Sequence, residues 1–313
     1  MKHLTKGDES QAFYERTVKE MRRELTFHEQ AFGKDHPKVV STLNRLASFC
    51  KTQGHPAEAE QYWLRVLAIV EQTHGRDHLE TASVLIELIE LYEEQGRPAE
   101  AEPLYQRTLA IYEQAHGPAH KSVATTLHNL ALACNAQGRP DEAETLLLRA
   151  VAIYEQLFGP EHPKLAVPLK NLATVHFKQE RSAAAKPFYE RSLAIREKEL
   201  GPEHPVLIEQ ITSLSAVYYD LGDADAAEQL MQRALAISEK AYGAAHPVTA
   251  QTLSYLASLY EEQGRCEAAE MLYECALVSI KAALPSGHPD LQRFQENHER
   301  LKAKLAWQDR GAA

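Results

Sequence analysis

Histidines are the residues in this chain whose number and spacing could most readily do chemistry, because a neutral imidazole binds transition metals and titrates near neutral pH. The chain has 15 of them. Seven recur every 42 residues, and they are His36, His78, His120, His162, His204, His246 and His288. Metal-bound nitrogens lie about 2 Å from the ion, whereas packed helices stand about 10 Å apart. We therefore interpret this histidine ladder as structural, in loops or at helix N-caps, and predict no metal and no other cofactor.

Five arginines keep the same spacing, and they are Arg65, Arg107, Arg149, Arg191 and Arg233. This arginine ladder could reach a ligand, but we favour salt bridges between neighbouring copies of the repeat. The sequence has no glycine-rich phosphate loop, no Ser/His/Asp or Cys/His signature and no paired-cysteine zinc motif. We therefore expect a protein that is not an enzyme, and the alternative is a catalytic arrangement without a recognisable motif.

The constant spacing predicts how these residues are positioned. Six glycines share it, and they are Gly33, Gly75, Gly117, Gly159, Gly201 and Gly243. From His36 to His288 the period of 42 residues continues without insertion or deletion. A fixed period of this length is typical of a solenoid, in which small supersecondary units stack on one another.

One unit can be interpreted from the third period. Apolar residues at i, i+3, i+4 and i+7 predict a first helix, and Gly138 then supplies the left-handed residue that commonly ends one. Pro140 suits the first position of a second helix with its own apolar stripe. The two stripes are Leu127, Leu130, Ala131 and Cys134, and then Ala143, Leu147, Ala150, Val151 and Tyr154. The unit is therefore a helical hairpin.

Periods of about 40 to 47 residues also occur in HEAT and armadillo arrays, whereas tetratricopeptide repeats usually have about 34. The internal pattern favours the latter, because a small residue recurs in the second helix as Ala59, Ala101, Ala143, Ala185, Ala227 and Ala269. The stretch QGRPAEAEPLYQRTLAIYEQAHGPAHKSVATTLHNLA resembles the 42-residue tetratricopeptide repeats of kinesin light chains and of bacterial proteins that share them. The resemblance covers residues 15 to about 290. It implies an all-α, right-handed superhelical solenoid of stacked helical hairpins.

The repeat register predicts three segments. Residues 1–35 are a polar leader and a capping half-repeat, residues 36–287 are six repeats, and residues 288–313 are a capping helix and tail. Repeat four is irregular, because Glu180 replaces the helix-ending glycine and Pro168 falls inside the expected first helix. An interior proline costs about 3 kcal/mol unless the helix starts late or bends.

Composition narrows the range of partners and locations. The formal net charge of −10 disfavours nucleic acid as a general partner. No apolar run approaches the 18 residues that a membrane span needs, and the first residues do not have the pattern of a signal peptide. The four cysteines form no disulfide framework. We therefore expect a cytoplasmic protein with no membrane partner, and the sequence leaves its oligomeric state open.

The resemblance also implies where partners bind, because first helices line the concave groove of tetratricopeptide folds. The candidate peptide-binding residues are Asn44, Arg45, Lys51, His128, Asn129, Asn135, Lys170, Asn171 and Lys178. Other groove positions are Ser48, Ile86, Glu87, Glu90, Glu93, Leu132, Thr174, Thr212, Ser213, Tyr219, Ser254, Tyr255 and Glu261. Kinesin light chain repeats usually carry paired asparagines here that hold a peptide backbone, and this chain keeps only Asn44, Asn129 and Asn171.

The expected function is a non-enzymatic scaffold that binds an extended peptide or a partner protein in its concave groove. Lys170 and Lys178, with the amides near the middle of the array, favour an acidic peptide centre, and Glu87 and Glu261 would form acidic shoulders. Two alternatives stay open. One is a peptide-sensing regulatory module of a bacterial signalling or effector system, and the other is a structural solenoid that assembles with itself.

Overall fold

The computed structural model of the chain describes residues 6–285 and 288–312. Over those residues it contains 14 α-helices, one 3₁₀ turn at Pro163–Leu165 and no strand. The helices are α1 (Lys6–Phe32), α2 (Pro37–Thr52), α3 (Pro56–His74), α4 (Leu79–Glu94), α5 (Pro98–His116), α6 (Lys121–Ala136), α7 (Pro140–Phe158), α8 (Ala166–Lys178), α9 (Ser182–Leu200), α10 (Leu207–Asp220), α11 (Ala224–Tyr242), α12 (Pro247–Glu262), α13 (Cys266–Ala283) and α14 (Pro289–Ala312). The all-α class is confirmed.

The chain forms two compact units that divide between Leu157 and Phe158. Within each unit the helices form the stacked hairpins that the repeat predicts, with α2, α4, α6, α8, α10 and α12 as first helices. Half of the predicted polar leader belongs to α1, which begins at Lys6, while residues 1–5 and 313 lie outside the described residues.

Small side chains let the two helices of a hairpin approach closely. The six recurring alanines that marked the second helices, from Ala59 to Ala269, are all fully buried. The larger residue four positions later is buried as well, and Trp63 and Tyr273 are each 1% exposed. Neither helix could bury such a stripe alone, so each hairpin depends on its neighbours for stability.

First helices end in a left-handed residue, as the sequence predicts. Gly138 has φ of 76°, and the N–H of Arg139 donates to the carbonyl of Cys134 at 3.0 Å, which is the bond of a Schellman motif. In repeat four Glu180 takes the same place with φ of 59°, while Arg181 donates to the carbonyl of His176 at 3.0 Å. Glu180 is the one described non-glycine residue with positive φ.

Replacing Glu180 with glycine should therefore stabilise the protein by about 1 kcal/mol, because glycine has no Cβ to clash in the left-handed region. Urea unfolding followed by circular dichroism would measure the change. The matched control is Gly138→Glu, which should destabilise by a similar amount. No gain in Glu180→Gly would mean that the glutamate side chain stabilises this turn by other contacts.

Second helices end in a different glycine conformation. At Gly117 φ is 83° and ψ is 164°, a region that is essentially restricted to glycine. Three residues later His120 is extended, and its Nδ1 accepts the N–H of Ser122 at 3.2 Å, which caps α6. Every residue of the histidine ladder makes this bond, at 3.1 to 3.2 Å. The prediction that the ladder lies in loops or at helix N-caps is confirmed, because His36, His78, His120 and His246 are N-cap residues, whereas His204 lies in the loop two residues before the N-cap of α10.

An aromatic ring four residues earlier stacks on the capping histidine, a contact that the sequence reasoning missed. The ring centroids of His116 and His120 are 4.3 Å apart, and those of Tyr242 and His246 are 4.5 Å apart. Phe32, His74 and Phe158 stack on the ladder in the same way. The stack holds the end of one repeat against the start of the next.

The capping residue His120 and the half-buried His128 should make stability depend on pH. Burial first, and then His116 and Lys121, lower the pKa of His120 below its ordinary value of 6.5, and burial alone lowers the pKa of His128. A depressed pKa means that the unfolded chain binds more protons, so stability is present above pH 6.5 and falls as the pH falls.

Asparagine caps helices without titrating. His120→Asn should therefore show a smaller loss of unfolding free energy than the native chain between about pH 7 and pH 5. Urea titrations at the two pH values would measure this difference. An identical loss in both proteins would assign the acid sensitivity to other groups.

Pro168 does not interrupt the first helix of repeat four, because that helix starts late. The 3₁₀ turn ends at Leu165 and α8 begins at Ala166, so Pro168 is the third residue of the helix. Backbone N–H groups in a first turn have no intrahelical acceptor. The proline therefore removes no hydrogen bond from α8.

Two rows of ion pairs join the second helices of neighbouring repeats. The predicted arginine ladder forms the first row, in which Arg65, Arg107, Arg149 and Arg233 each pair with the glutamate 36 residues earlier. Arg191 donates to the carbonyl of Pro160 at 2.6 Å. A second row, which the sequence did not suggest, pairs Arg97, Arg139 and Arg265 with the glutamate 37 residues earlier.

Because these pairs have a fixed offset, removing one whole period should re-form them. Deletion of residues 78–119 brings Arg149 to Glu71 and Arg139 to Glu60, both equivalent to their native partners. We expect a shorter protein that stays helical and unfolds cooperatively, as measured by circular dichroism and urea unfolding. A control deletion of half a period should disrupt folding. Loss of cooperative unfolding in the whole-period deletion would contradict this modularity.

Candidate functional site

A candidate binding surface lies in the second unit, on the first helices α8, α10 and α12. They enclose an open groove of about 890 Å³. We call this surface the tyrosine groove, and its lining includes Lys170, Asn171, Thr174, Phe177, Lys178, Tyr189, Glu209, Thr212, Ser213, Tyr219, Asp220, Met231, Tyr255, Ser258 and Glu262. The structure thus brings together the sequence-predicted positions of repeats four and five, with Tyr255 of repeat six.

Aromatic side chains form the floor and one wall of the tyrosine groove. Tyr189 is 3% exposed, and its hydroxyl lies 2.8 Å from that of Thr174. Met231, another lining residue, is also buried, while Tyr219 is half-buried and Tyr255 is 48% exposed. Partly exposed tyrosines supply large apolar area with a polar tip, which is the composition of protein-binding hot spots.

Charges of both signs line the groove. Lys170 pairs with Glu209 at 2.6 Å, so its charge is offset within the unit. Lys178 is exposed on α8, whereas Asp220 and Glu262 are the equivalent residues of α10 and α12. Burial first, and then Glu262, raise the pKa of Tyr219. The groove is therefore basic beside α8 and acidic beside α10 and α12.

The candidate residues of the first unit are arranged differently. Arg45 pairs with Glu24 at 2.8 Å, and Lys51 pairs with Glu94 at 3.0 Å and Glu90 at 3.4 Å. Asn44, His128 and Asn135 are half-buried on the first helices α2 and α6. Of the candidate residues in this unit, Asn129 lines a smaller cavity, which α4, α5 and α6 enclose.

Two groove positions inferred for repeat six are wrong. Ser254 is 5% exposed and Glu261 is 8% exposed, and neither is among the residues that line the tyrosine groove. Glu261 accepts hydrogen bonds from Arg300 at 2.6 and 2.7 Å and from Lys304 at 3.4 Å, because α14 packs over it. The arginine lowers the pKa of Glu261. This carboxylate holds the capping helix and is not an acidic shoulder for a ligand.

The described residues contain no group of three or more histidine, cysteine or acidic side chains that could hold a metal ion. All four cysteines are free, and Cys50 and Cys134 are buried. Burial raises the pKa of both buried thiols, which disfavours the reactive thiolate. No described helix is long and apolar enough to cross a membrane.

Comparison with known proteins identifies the repeat. The family described as Tetratricopeptide repeat matches residues 38–114, 80–156, 122–198 and 207–277, which together cover more than half of the chain. No curated protein matches the chain.

Solved structures include chains with the same repeat. One is a Podosopora anserina protein described as a kinesin light chain with nearly identical TPR-like repeats, at 28% identity and a TM-score of 0.58, covering 62% of this chain and 92% of that one. Another is BtubC (BKLC) from P. vanneervenii, at 25% identity and a TM-score of 0.60. The match covers 77% of this chain and 94% of that one. The pilF protein of Pseudomonas aeruginosa shares the fold alone, at 19% identity and a TM-score of 0.52. That match covers 82% of this chain and 96% of that one.

Proposed function

Because the chain belongs to the tetratricopeptide repeat family, whose repeats generally mediate protein–protein interactions, we propose that it is a non-enzymatic scaffold that binds an extended segment of a partner protein in the tyrosine groove. The observation that carries this proposal is the groove itself. Aromatic side chains, the amide of Asn171, several hydroxyls and charges of both signs converge there on one open surface.

The arrangement of the groove suits an extended chain. Asn171, Ser213 and Tyr255 occupy the same position in three successive repeats, each 42 residues apart. Packed helices stand about 10 Å apart, which an extended chain of the polyproline II type spans with one turn of three residues, so that every third side chain shares a face. One side chain in three would then meet an equivalent position, and the amide of Asn171 and the hydroxyl of Ser213 could bond its backbone.

The charges favour one orientation of the bound segment. An acidic residue would lie beside Lys178, and a basic residue would lie beside Asp220 and Glu262. An apolar or aromatic residue between them would pack against Tyr219 and Tyr255. Complementary charge sets direction and the rate of association more than affinity, so the tyrosines supply most of the binding energy in this proposal.

The proposal predicts that aromatic truncation abolishes partner capture. The full chain, Tyr219→Ala/Tyr255→Ala and the control Met271→Ala would each be used to recover proteins from the native cell for quantitative mass spectrometry. Met271 is 63% exposed on α13 and lies outside the groove lining. A partner recovered by the native chain and by Met271→Ala, but reduced at least about tenfold by the double variant, supports the groove. Equal recovery by all three would place binding elsewhere.

Charge substitutions test the orientation of the bound segment once a partner segment has been identified. Lys178→Glu should weaken fluorescence anisotropy binding of that segment and reduce its salt dependence. Lys170→Glu/Glu209→Lys swaps an ion pair and should have a smaller effect than Lys178→Glu, because the local charge sum is unchanged. Glu87→Lys, in the first unit, is the control and should leave binding unchanged. Insensitivity to Lys178→Glu would overturn the acidic residue proposed beside α8.

A further inference from the structure

The smaller cavity of the first unit has features of a binding pocket in its own right. It has a volume of about 350 Å³ and lies between α4 and α6, with α5 as its floor. Its lining includes Ile86, Ile89, Glu90, Glu93, Tyr105, Thr108, Tyr112, Lys121, Thr125, Thr126 and Asn129. We call it the α4–α6 pocket. It shares no lining residue with the tyrosine groove, so a ligand bound in it would be additional to the segment proposed for that groove.

A buried hydroxyl in the floor of this pocket has no hydrogen-bond partner. Thr108 is 1% exposed, and its Oγ1 makes no hydrogen bond to any described residue. The neighbouring threonine hydroxyls are engaged, since Thr126 donates to the carbonyl of Ser122 at 2.9 Å and Thr125 lies 2.8 Å from the hydroxyl of Tyr154. Buried polar atoms are nearly always paired. Thr108 Oγ1 is therefore a hydrogen-bonding group in the lining of this pocket that no described residue uses.

Carboxylates outnumber cations around the pocket. Glu90 and Glu93 line it, and Glu87 and Glu94 lie on the same helix. Lys51 offsets Glu90 and Glu94 through its ion pairs, and Lys121 lies in the lining. Glu93 accepts the hydroxyl of Tyr105 at 2.6 Å and retains free acceptor capacity. Burial and then Glu90 raise the pKa of Glu87, against the opposing effect of Lys51.

The remaining walls of the pocket consist of aliphatic and aromatic side chains. Ile86 and Ile89 form one side, and Tyr105 and Tyr112 form the other. Burial is the first cause of the raised pKa of both tyrosines. Such walls cover a methylene stem and stack on a planar cation.

We infer that the α4–α6 pocket binds an arginine side chain of a partner protein. The guanidinium would donate to Glu90 and Glu93 and to Thr108 Oγ1, while its stem would lie against Ile86 and the tyrosine rings. A carboxylate would be repelled by both glutamates. An apolar side chain would leave the Thr108 hydroxyl unpaired. Arginine suits the pocket better than lysine, because its planar fork has five donors in several directions and stacks on aromatic faces.

The test uses three capped Gly-Ser peptides that differ in one central residue: arginine, its neutral isostere citrulline, or glutamate. Each is titrated to millimolar concentration into the isotopically labelled full chain, and amide NMR shifts are followed. The arginine peptide should give saturable shifts at Thr108, Tyr105 and Asn129, whereas citrulline should bind at least about tenfold more weakly. The glutamate peptide should cause no saturable shift.

Variants locate the contact. Thr108→Val keeps the shape and removes the hydroxyl, and it should weaken the arginine peptide about fivefold. Glu93→Gln should weaken it about tenfold, since a charged acceptor becomes neutral. Glu94→Gln is the matched control, because it removes the same charge from the same helix outside the pocket lining. The inference is overturned by equal binding of arginine and citrulline, by shifts that never saturate, or by equal effects of Glu93→Gln and Glu94→Gln. The capture experiment with the tyrosine groove variants tests a different site. Its outcome would not change the inference that the α4–α6 pocket binds arginine.

Discussion

The backbone at one glycine per repeat determines where every hairpin begins. At Gly75, Gly117, Gly201 and Gly243, φ lies between 83° and 100° and ψ between 152° and 166°. The Nδ1 of the histidine three residues later then accepts the N–H of the residue two positions further on, at 3.2 Å each time. Because the glycine and the histidine keep this spacing in each junction, equivalent residues of neighbouring repeats meet at constant offsets. The buried alanines and the rows of ion pairs depend on those offsets, and an insertion at one junction would displace them together.

Much of this architecture could be predicted from the sequence because it repeats. The helical hairpins, the histidine caps and the left-handed Glu180 each follow from comparing one residue with its equivalents at other repeats. Features that occur once were harder to predict. The burial of Glu261 depends on Arg300 in α14, a helix whose sequence departs from the repeat. The late start of α8 depends on a local 3₁₀ turn, and the unpaired hydroxyl of Thr108 is set by packing alone.

For the candidate residues, too, the repeat predicts the position of a side chain, whereas its contacts depend on the local structure. Position within the repeat correctly placed Lys170, Asn171 and Lys178 in one groove. It could not show that Arg45 and Lys51 are held by Glu24, Glu90 and Glu94, because those ion pairs depend on rotamers. Charged side chains on a repeat surface thus divide into those that join neighbouring helices and those that face solvent. Distances between atoms, and not residue types, separate the two groups.

Lys51 and Glu261 occupy equivalent positions in the first and sixth repeats, and each reaches the residues 39 and 43 positions later. Lys51 meets Glu90 and Glu94, whereas Glu261 meets Arg300 and Lys304. The geometry is the same and the signs are reversed. A copy of one repeat placed next to the wrong successor would therefore oppose like charges or leave a charge unmatched, although its backbone would fit. The backbone alone would allow these repeats to follow one another in any order. The charged side chains specify which repeat must follow each of the two.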